Sequence, residues 1–194
     1  QIPYREIKML AKIVANRGGI YATHLRNERE GLTRSVEESI RLAREAGVST
    51  LVGHLRPIAG FAREFEDALS LIDQEKNAHS FRFDCYPSDM SMHSIYSLLP
   101  SWMRRGNLEE MRKHLEAEDT RRRVLKELPV IRGGDFLIAH APGAPYLVGK
   151  SIGEFAANRG LDPRRALLLL MQITKLRAVV LVRDVNMDAA VQAL

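Results

Sequence analysis

Apolar residues recur at helical spacing in the first third of the chain, and each such stretch gives way to a short apolar run. Ile7, Leu10, Ala11 and Val14 share one helical face and Gly18 and Gly19 follow, which predicts a helix over residues 4–17 and a strand over 19–24. The next stretch places Val36, Ile40 and Ala43 on one face. Ser35 with Glu38 three residues on has the form of a capping box, Gly47 is the expected stop, and "STLVGHL" the strand that follows. Phe61, Phe65, Leu69 and Ile72 then line a third helix, and "HSFRFDCYP" reads as a third strand with Phe81 and Phe83 on one face. Helices alternating with strands at this spacing are the signature of repeated βα units, which build a parallel sheet with right-handed crossovers.

Beyond Pro87 the pattern loosens through "SDMSMHSIYSLLPSW" and becomes helical and charged from Leu108 to Leu128. "GGDFLIAH" reads as a fourth strand and "AVVLV" from Ala178 as a fifth. Between them lie a second capping box, Ser151 with Glu154, and the N-cap and N1 pair Asp162 and Pro163. No linker or low-complexity segment interrupts the chain. The expectation is an α/β fold, one domain over residues 1–194, in which every strand continues the parallel array.

Composition narrows the classes of function. The 194 residues are 45% hydrophobic and 27% charged, as in a globular protein with a core. The formal charge of +5 has no basic track behind it. The densest stretch, "RRRVLKE" from Arg121, follows "LEAEDT" and reads as a solvated helix face, so no nucleic-acid partner is expected. The longest apolar run, "ALLLLMQI", is too short to span a bilayer, and no membrane partner is expected. A single cysteine, Cys85, cannot form an internal disulfide, and a cytoplasmic location is the default. The first residue is not Met and "MDAAVQAL" closes the chain in a helical pattern, so both ends read as cut from something longer.

The candidate chemistry lies where two strands end. "GGIYATHLRNE" and "STLVGHLRP" each close an apolar run on His-Leu-Arg, with His24 and His54 thirty positions apart. On adjacent parallel strands, spaced about 5 Å, such histidines converge at the C-terminal edge of the sheet, which in βα barrels carries the chemistry. Two neutral imidazoles there make half of a zinc site. Histidines satisfied within the scaffold are the alternative at this stage. Arg26 and Arg56 follow the histidines by two, and an arginine at the mouth of a barrel can grip a carboxylate with two parallel hydrogen bonds. Arg56 is assigned that role, whereas Arg26 is expected to form a structural ion pair with Glu28, two positions on.

These motifs, with "DCYPSD", "SLLPSW", "AHAPGAPYLVGKSIGEFAANRGLDPRRALLLLM" and "VNMDAAVQAL", occur in the same order along nearly the whole chain. Together they resemble the N-acyl-D-amino-acid deacylases, or D-aminoacylases, of the amidohydrolase superfamily. The resemblance implies a zinc-dependent (β/α)8 TIM barrel that hydrolyses the amide bond of N-acyl-D-amino acids, with this chain covering roughly its C-terminal half. It implies zinc binding by His24 and His54, a grip on the substrate carboxylate by Arg56 where the family commonly has lysine, and a substrate contact from Tyr86, the first tyrosine of the family's Tyr-Pro-Tyr. The second tyrosine is Ser88 here, and Met92 replaces a small hydroxyl residue, so the carboxylate pocket is expected to be rebuilt.

The family's His-x-His pair and bridging cysteine are expected upstream of the first residue and its catalytic aspartate beyond Leu194, so no catalytic base is visible and the chain alone is expected to be inactive. Cys85 and His140 are read as structural, and His79, His93 and His114 are given no role. Two other readings stand beside this one. One is an inactive half-barrel that acts by association, self-association through exposed sheet edges included. The other is a cyclic-amide hydrolase of the dihydroorotase type, which the stretch "YPSDMSMHSIYSLLPSW" disfavours.

Overall fold

A computed structural model describes residues 2–75, 81–85, 87–130 and 132–193, which divide into two compact units. The first runs to Asp89 and resumes at Val185; the second spans Met90–Asp184.

In the first unit α1 (Tyr4–Asn16), β1 (Ile20–Thr23), α2 (Leu32–Ala46), β2 (Ser49–Val52), α3 (Ala62–Gln74) and β3 (Phe81–Phe83) alternate as the periodicity predicts. The strands form a parallel sheet in the order β1-β2-β3. Its core gathers Leu32, Val36, Ile40 and Ala43 from α2, Phe65, Ala68 and Ile72 from α3, and Val52 and Phe81 from the strands. A smaller cluster of Ala11, Leu42 and Val48 fixes α1 to the outer side of α2. Gly47 ends α2 in the left-handed conformation, φ 66°, which a residue without Cβ adopts at little cost.

The start of α2 differs from expectation. The helix begins at Leu32 after Gly31, so Ser35 lies inside it and caps nothing. Ser35 Oγ donates to the Gly31 carbonyl and accepts the Asn27 N–H, while the Glu38 carboxylate is drawn away by Arg26. Both halves of the expected box are committed elsewhere.

The second unit holds β4 (Met90–Ser94), α4 (Leu108–His114), α5 (Glu118–Glu127), β5 (Phe136–His140), α6 (Ile152–Ala157), α7 (Pro163–Ile173) and β6 (Val179–Arg183). Its strands do not extend the parallel array: β6 lies between β4 and β5 and runs antiparallel to both. Strand direction is set by non-local pairing and not by the local pattern: the two helices that start at Ser151 and Asp162 separate β5 from an antiparallel β6, while α4 and α5 separate β4 and β5, which run the same way. Ile138, Phe155, Leu167, Leu170, Met171 and Val180 are the centre of this unit's own core. A last helix, α8 (Met187–Gln192), belongs to the first unit, where the Asn186 N–H donates to the Pro57 carbonyl.

The capping box at Ser151 forms as read. Ser151 Oγ accepts the Glu154 N–H, and the Glu154 carboxylate accepts the Ser151 N–H. The Ser151 N–H foremost, and then the Ser151 hydroxyl, which donates to the same Glu154 oxygen at 2.9 Å, hold the Glu154 carboxyl below its ordinary range, and Ser151→Ala loses the hydroxyl's share. That substitution is expected to lower stability by about 1 kcal/mol at neutral pH. Because a depressed carboxyl contributes stability that is lost as pH falls through its folded value, the gap between parent and variant should narrow in acid. Urea unfolding of both proteins at neutral and acidic pH checks both points.

Candidate metal and substrate site

The site is built at the C-terminal ends of β1, β2 and β3. Strand register pairs Thr23 with Val52 and Val52 with Phe83, so His24, Gly53 and Asp84 come level across the sheet. The hydrogen-bond ladder continues one step past the strands, from Gly53 N–H to the Thr23 carbonyl at 2.9 Å and from Asp84 N–H to the Val52 carbonyl at 3.0 Å. His54 is therefore one residue beyond the position opposite His24, although the thirty-residue interval suggests equivalence.

Backbone conformation makes up the difference. His54 adopts φ 44°, a left-handed conformation uncommon outside glycine, and its N–H donates to Asp84 Oδ1 at 2.6 Å. The Leu55 N–H donates to the Asp84 carbonyl at 2.9 Å, so one aspartate holds both sides of the turn. Strained residues persist only where their surroundings over-determine them, and they concentrate at functional sites. As a result the two imidazoles stack, with ring centroids 4.5 Å apart and planes inclined by 23°.

Among the described residues neither ring forms a hydrogen bond, and the buried His54 Nδ1 lacks a hydrogen-bonded partner even though Glu28 Oε1 lies 3.2 Å away. The distance suits a hydrogen bond and the angle does not. A buried polar atom left in this state costs about 1–3 kcal/mol. Paired histidines with uncommitted nitrogens fit an electrophile such as a metal ion. Among the described residues no group of three or more His, Cys, Asp and Glu side chains is placed to hold one, so the pair by itself is not a complete metal site.

The two arginines have different partners. Arg26 does not pair with Glu28. Its Nε donates to Glu38 Oε2 at 2.8 Å and its Nη2 to the Ile2 carbonyl at 2.7 Å, which fixes the loop after β1 to α2. Glu28 instead accepts from Arg56, with Oε2 at 2.5 Å from Nη2 and 3.2 Å from Nε. The Arg56 side chain is 15% exposed. Period-two alternation fails beyond Val52 because the left-handed turn at His54 ends the strand, and it fails before Arg26 because β1 ends at Thr23, so sequence spacing could not assign these partners. Tyr86 lies outside the described residues, as does His79.

Sequence reasoning missed the position of Asp84 and the double contact of Glu28. A signal for the first was present, since Asp84 follows His54 by the same interval that separates the histidines. A cleft of about 320 Å³ beside His24 is walled by residues of α1, β1 and α2, and neither His54 nor Arg56 lines it. In the second unit His93 lies on β4, where its Nε2 is 2.8 Å from Ser91 Oγ and 3.5 Å from Asp184 Oδ2. Serine and aspartate address the same ring nitrogen and Ser91 is buried, so this trio is a tie between β4 and the end of β6 and not a proton relay. Cys85 is half-buried, and His114 and His140 are exposed. No helix among the described residues is long and apolar enough to cross a membrane.

No protein-family model matches the chain. A D-aminoacylase of Alcaligenes xylosoxydans xylosoxydans is 27% identical over 157 residues, which covers 80% of this chain and 26% of the relative. The crystal structure of a D-aminoacylase superposes on 98% of this chain, and 33% of its own, with a TM-score of 0.63 at 22% identity. An N-acyl-D-glutamate deacylase from Bordetella bronchiseptica, solved with zinc and a phosphonate that mimics the tetrahedral intermediate, covers 99% of this chain and 34% of its own with a TM-score of 0.66 at 20% identity. The chain thus spans about a quarter of the length of its curated relative and about a third of these solved chains. The chain is thus similar to this D-aminoacylase in sequence and to these solved structures in fold.

Proposed function

We propose that this chain is a segment of a zinc-dependent amidohydrolase, part of a TIM barrel, that hydrolyses the amide bond of N-acyl-D-amino acids. The observation that carries the reading is the stacked pair His24 and His54, presented with uncommitted nitrogens by neighbouring parallel strands. The relatives support it: the Bordetella deacylase was solved with zinc, and another similar D-aminoacylase is described by its binuclear metal centre.

In this reading His24 and His54 supply two ligands, and further ligands and the catalytic aspartate come from parts of the enzyme outside this chain. A bound zinc ion would contribute Lewis-acid polarisation of the acyl carbonyl and a lowered pKa for water. Asp84 fixes the backbone from which His54 projects. Arg56, with Tyr86, orients the substrate by its carboxylate. Alone, the chain has two of the ligands and no base, and is inactive.

The experiment is a turnover assay on the complete enzyme with N-acetyl derivatives of D- and L-amino acids. Hydrolysis of the D series, abolished by a chelator and restored by zinc, is the expected result. Absence of turnover for every acyl amino acid, or turnover indifferent to chelation, would sink the reading.

A further inference from the structure

We propose that Glu28 is a positioning residue that serves both halves of the site at once, steering the His54 imidazole and tempering the charge of Arg56. The inference rests on the function proposed above. One carboxylate is divided between two clients: Oε1 lies 3.2 Å from His54 Nδ1, and Oε2 accepts from both Nε and Nη2 of Arg56. The group is three-quarters buried, with its side chain 23% exposed, so water screens these contacts only in part.

Toward His54 the geometry is that of a carboxylate behind a metal-ligating histidine. Nδ1 faces Glu28 and is unsatisfied, and a small turn of the ring gives it a hydrogen bond to Oε1. That bond fixes the proton on Nδ1 and leaves the Nε2 lone pair for a metal, the arrangement by which such partners orient and strengthen imidazole ligands. Toward Arg56 the effect has the opposite sense. An incoming substrate carboxylate meets a guanidinium whose Nε edge is already engaged by a carboxylate, and it must approach a like charge to reach it. Glu28 therefore strengthens the hold on metal and weakens the hold on substrate, and one substitution should move the two in opposite directions.

Glu28→Gln keeps the size and accepting oxygen of the side chain and removes its charge. In the complete enzyme its zinc dissociation constant, measured by chelator competition without substrate, should rise about ten- to a hundredfold. The Michaelis constant should fall several-fold for N-acyl-D-amino acids and stay unchanged for the matching amides. A purely structural role would loosen both functions and raise the constant for acids and amides alike, and that result overturns the proposal, as does unchanged zinc affinity. If Glu28→Gln loses its thermal unfolding transition, Glu28→Asp replaces it for the zinc measurement: the charge stays but the carboxylate withdraws by one methylene. Zinc affinity equal to the parent's in that variant overturns the proposal as well. A parallel His54→Ala variant separates the two levels: zinc lost there and retained in Glu28→Gln rejects the role of Glu28 alone, whereas zinc retained in both rejects the metal reading beneath it.

Discussion

His54→Ala in the complete enzyme is expected to abolish zinc retention and turnover together. The side chain removed is one of a stacked pair whose centroids are 4.5 Å apart, close enough for both rings to reach one ion through bonds near 2 Å. A partner behind a ligand costs about ten- to a hundredfold in metal affinity when lost, so loss of a ligand itself should exceed that range. The variant need not lose its fold. His54 sits in a left-handed turn, φ 44°, and alanine avoids the cost of an unsatisfied buried nitrogen there. Metal analysis of the purified variant beside His114→Ala, an exposed change on α4, is the test. Stoichiometric zinc with normal turnover in His54→Ala would remove His54 from the metal site.

The turn at His54 also shows where the sequence stops being readable. The order and type of the elements up to Phe83 follow local rules: periodicity, a glycine stop at Gly47 and short apolar runs predict the helices and strands that form. Direction is not a local property. Phe136–His140 and Val179–Arg183 have the composition of buried parallel strands, yet they run antiparallel in a second sheet with Met90–Ser94, and no local pattern in either strand distinguishes the two directions. Caps show the same division. Ser151 and Glu154 form their box because nothing else competes for them, whereas Ser35 and Glu38 match the same pattern and are claimed by Asn27, Gly31 and Arg26.

At the site, the spacing of the two motifs led to the histidines, but their stacking depends on a strand register of Ile20 with Ser49 and a strained backbone that no propensity encodes. The partner of Arg56 depends on that turn, and the partner of Arg26 on the loop that follows Thr23. Arg26 and Arg56 each close a His-Leu-Arg triplet, and the three-dimensional path sends one to α2 and the other to Glu28.

Arg56→Met is expected to raise the Michaelis constant sharply for N-acyl-D-amino acids and hardly at all for the matching amides. The charged hydrogen bonds lost are worth about 1.5–3 kcal/mol, roughly ten- to a hundredfold. The Glu28 contact adds a second contribution that the sequence alone did not suggest. Removing the guanidinium leaves the Glu28 carboxylate without its closest cation, in a largely buried position facing the substrate's own carboxylate. Repulsion from it should push the effect on acids toward the upper end of that range. The two contributions separate in a double-mutant cycle. Arg56→Met in a Glu28→Gln background removes the same substrate hydrogen bonds without exposing a bare carboxylate, so its penalty on acids should be smaller than in the parent. Equal penalties in both backgrounds would show that Glu28 does not act on the carboxylate seat. Equal effects of Arg56→Met on acids and amides would show that the arginine serves the scaffold, through Glu28, and that another group reads the substrate's charge.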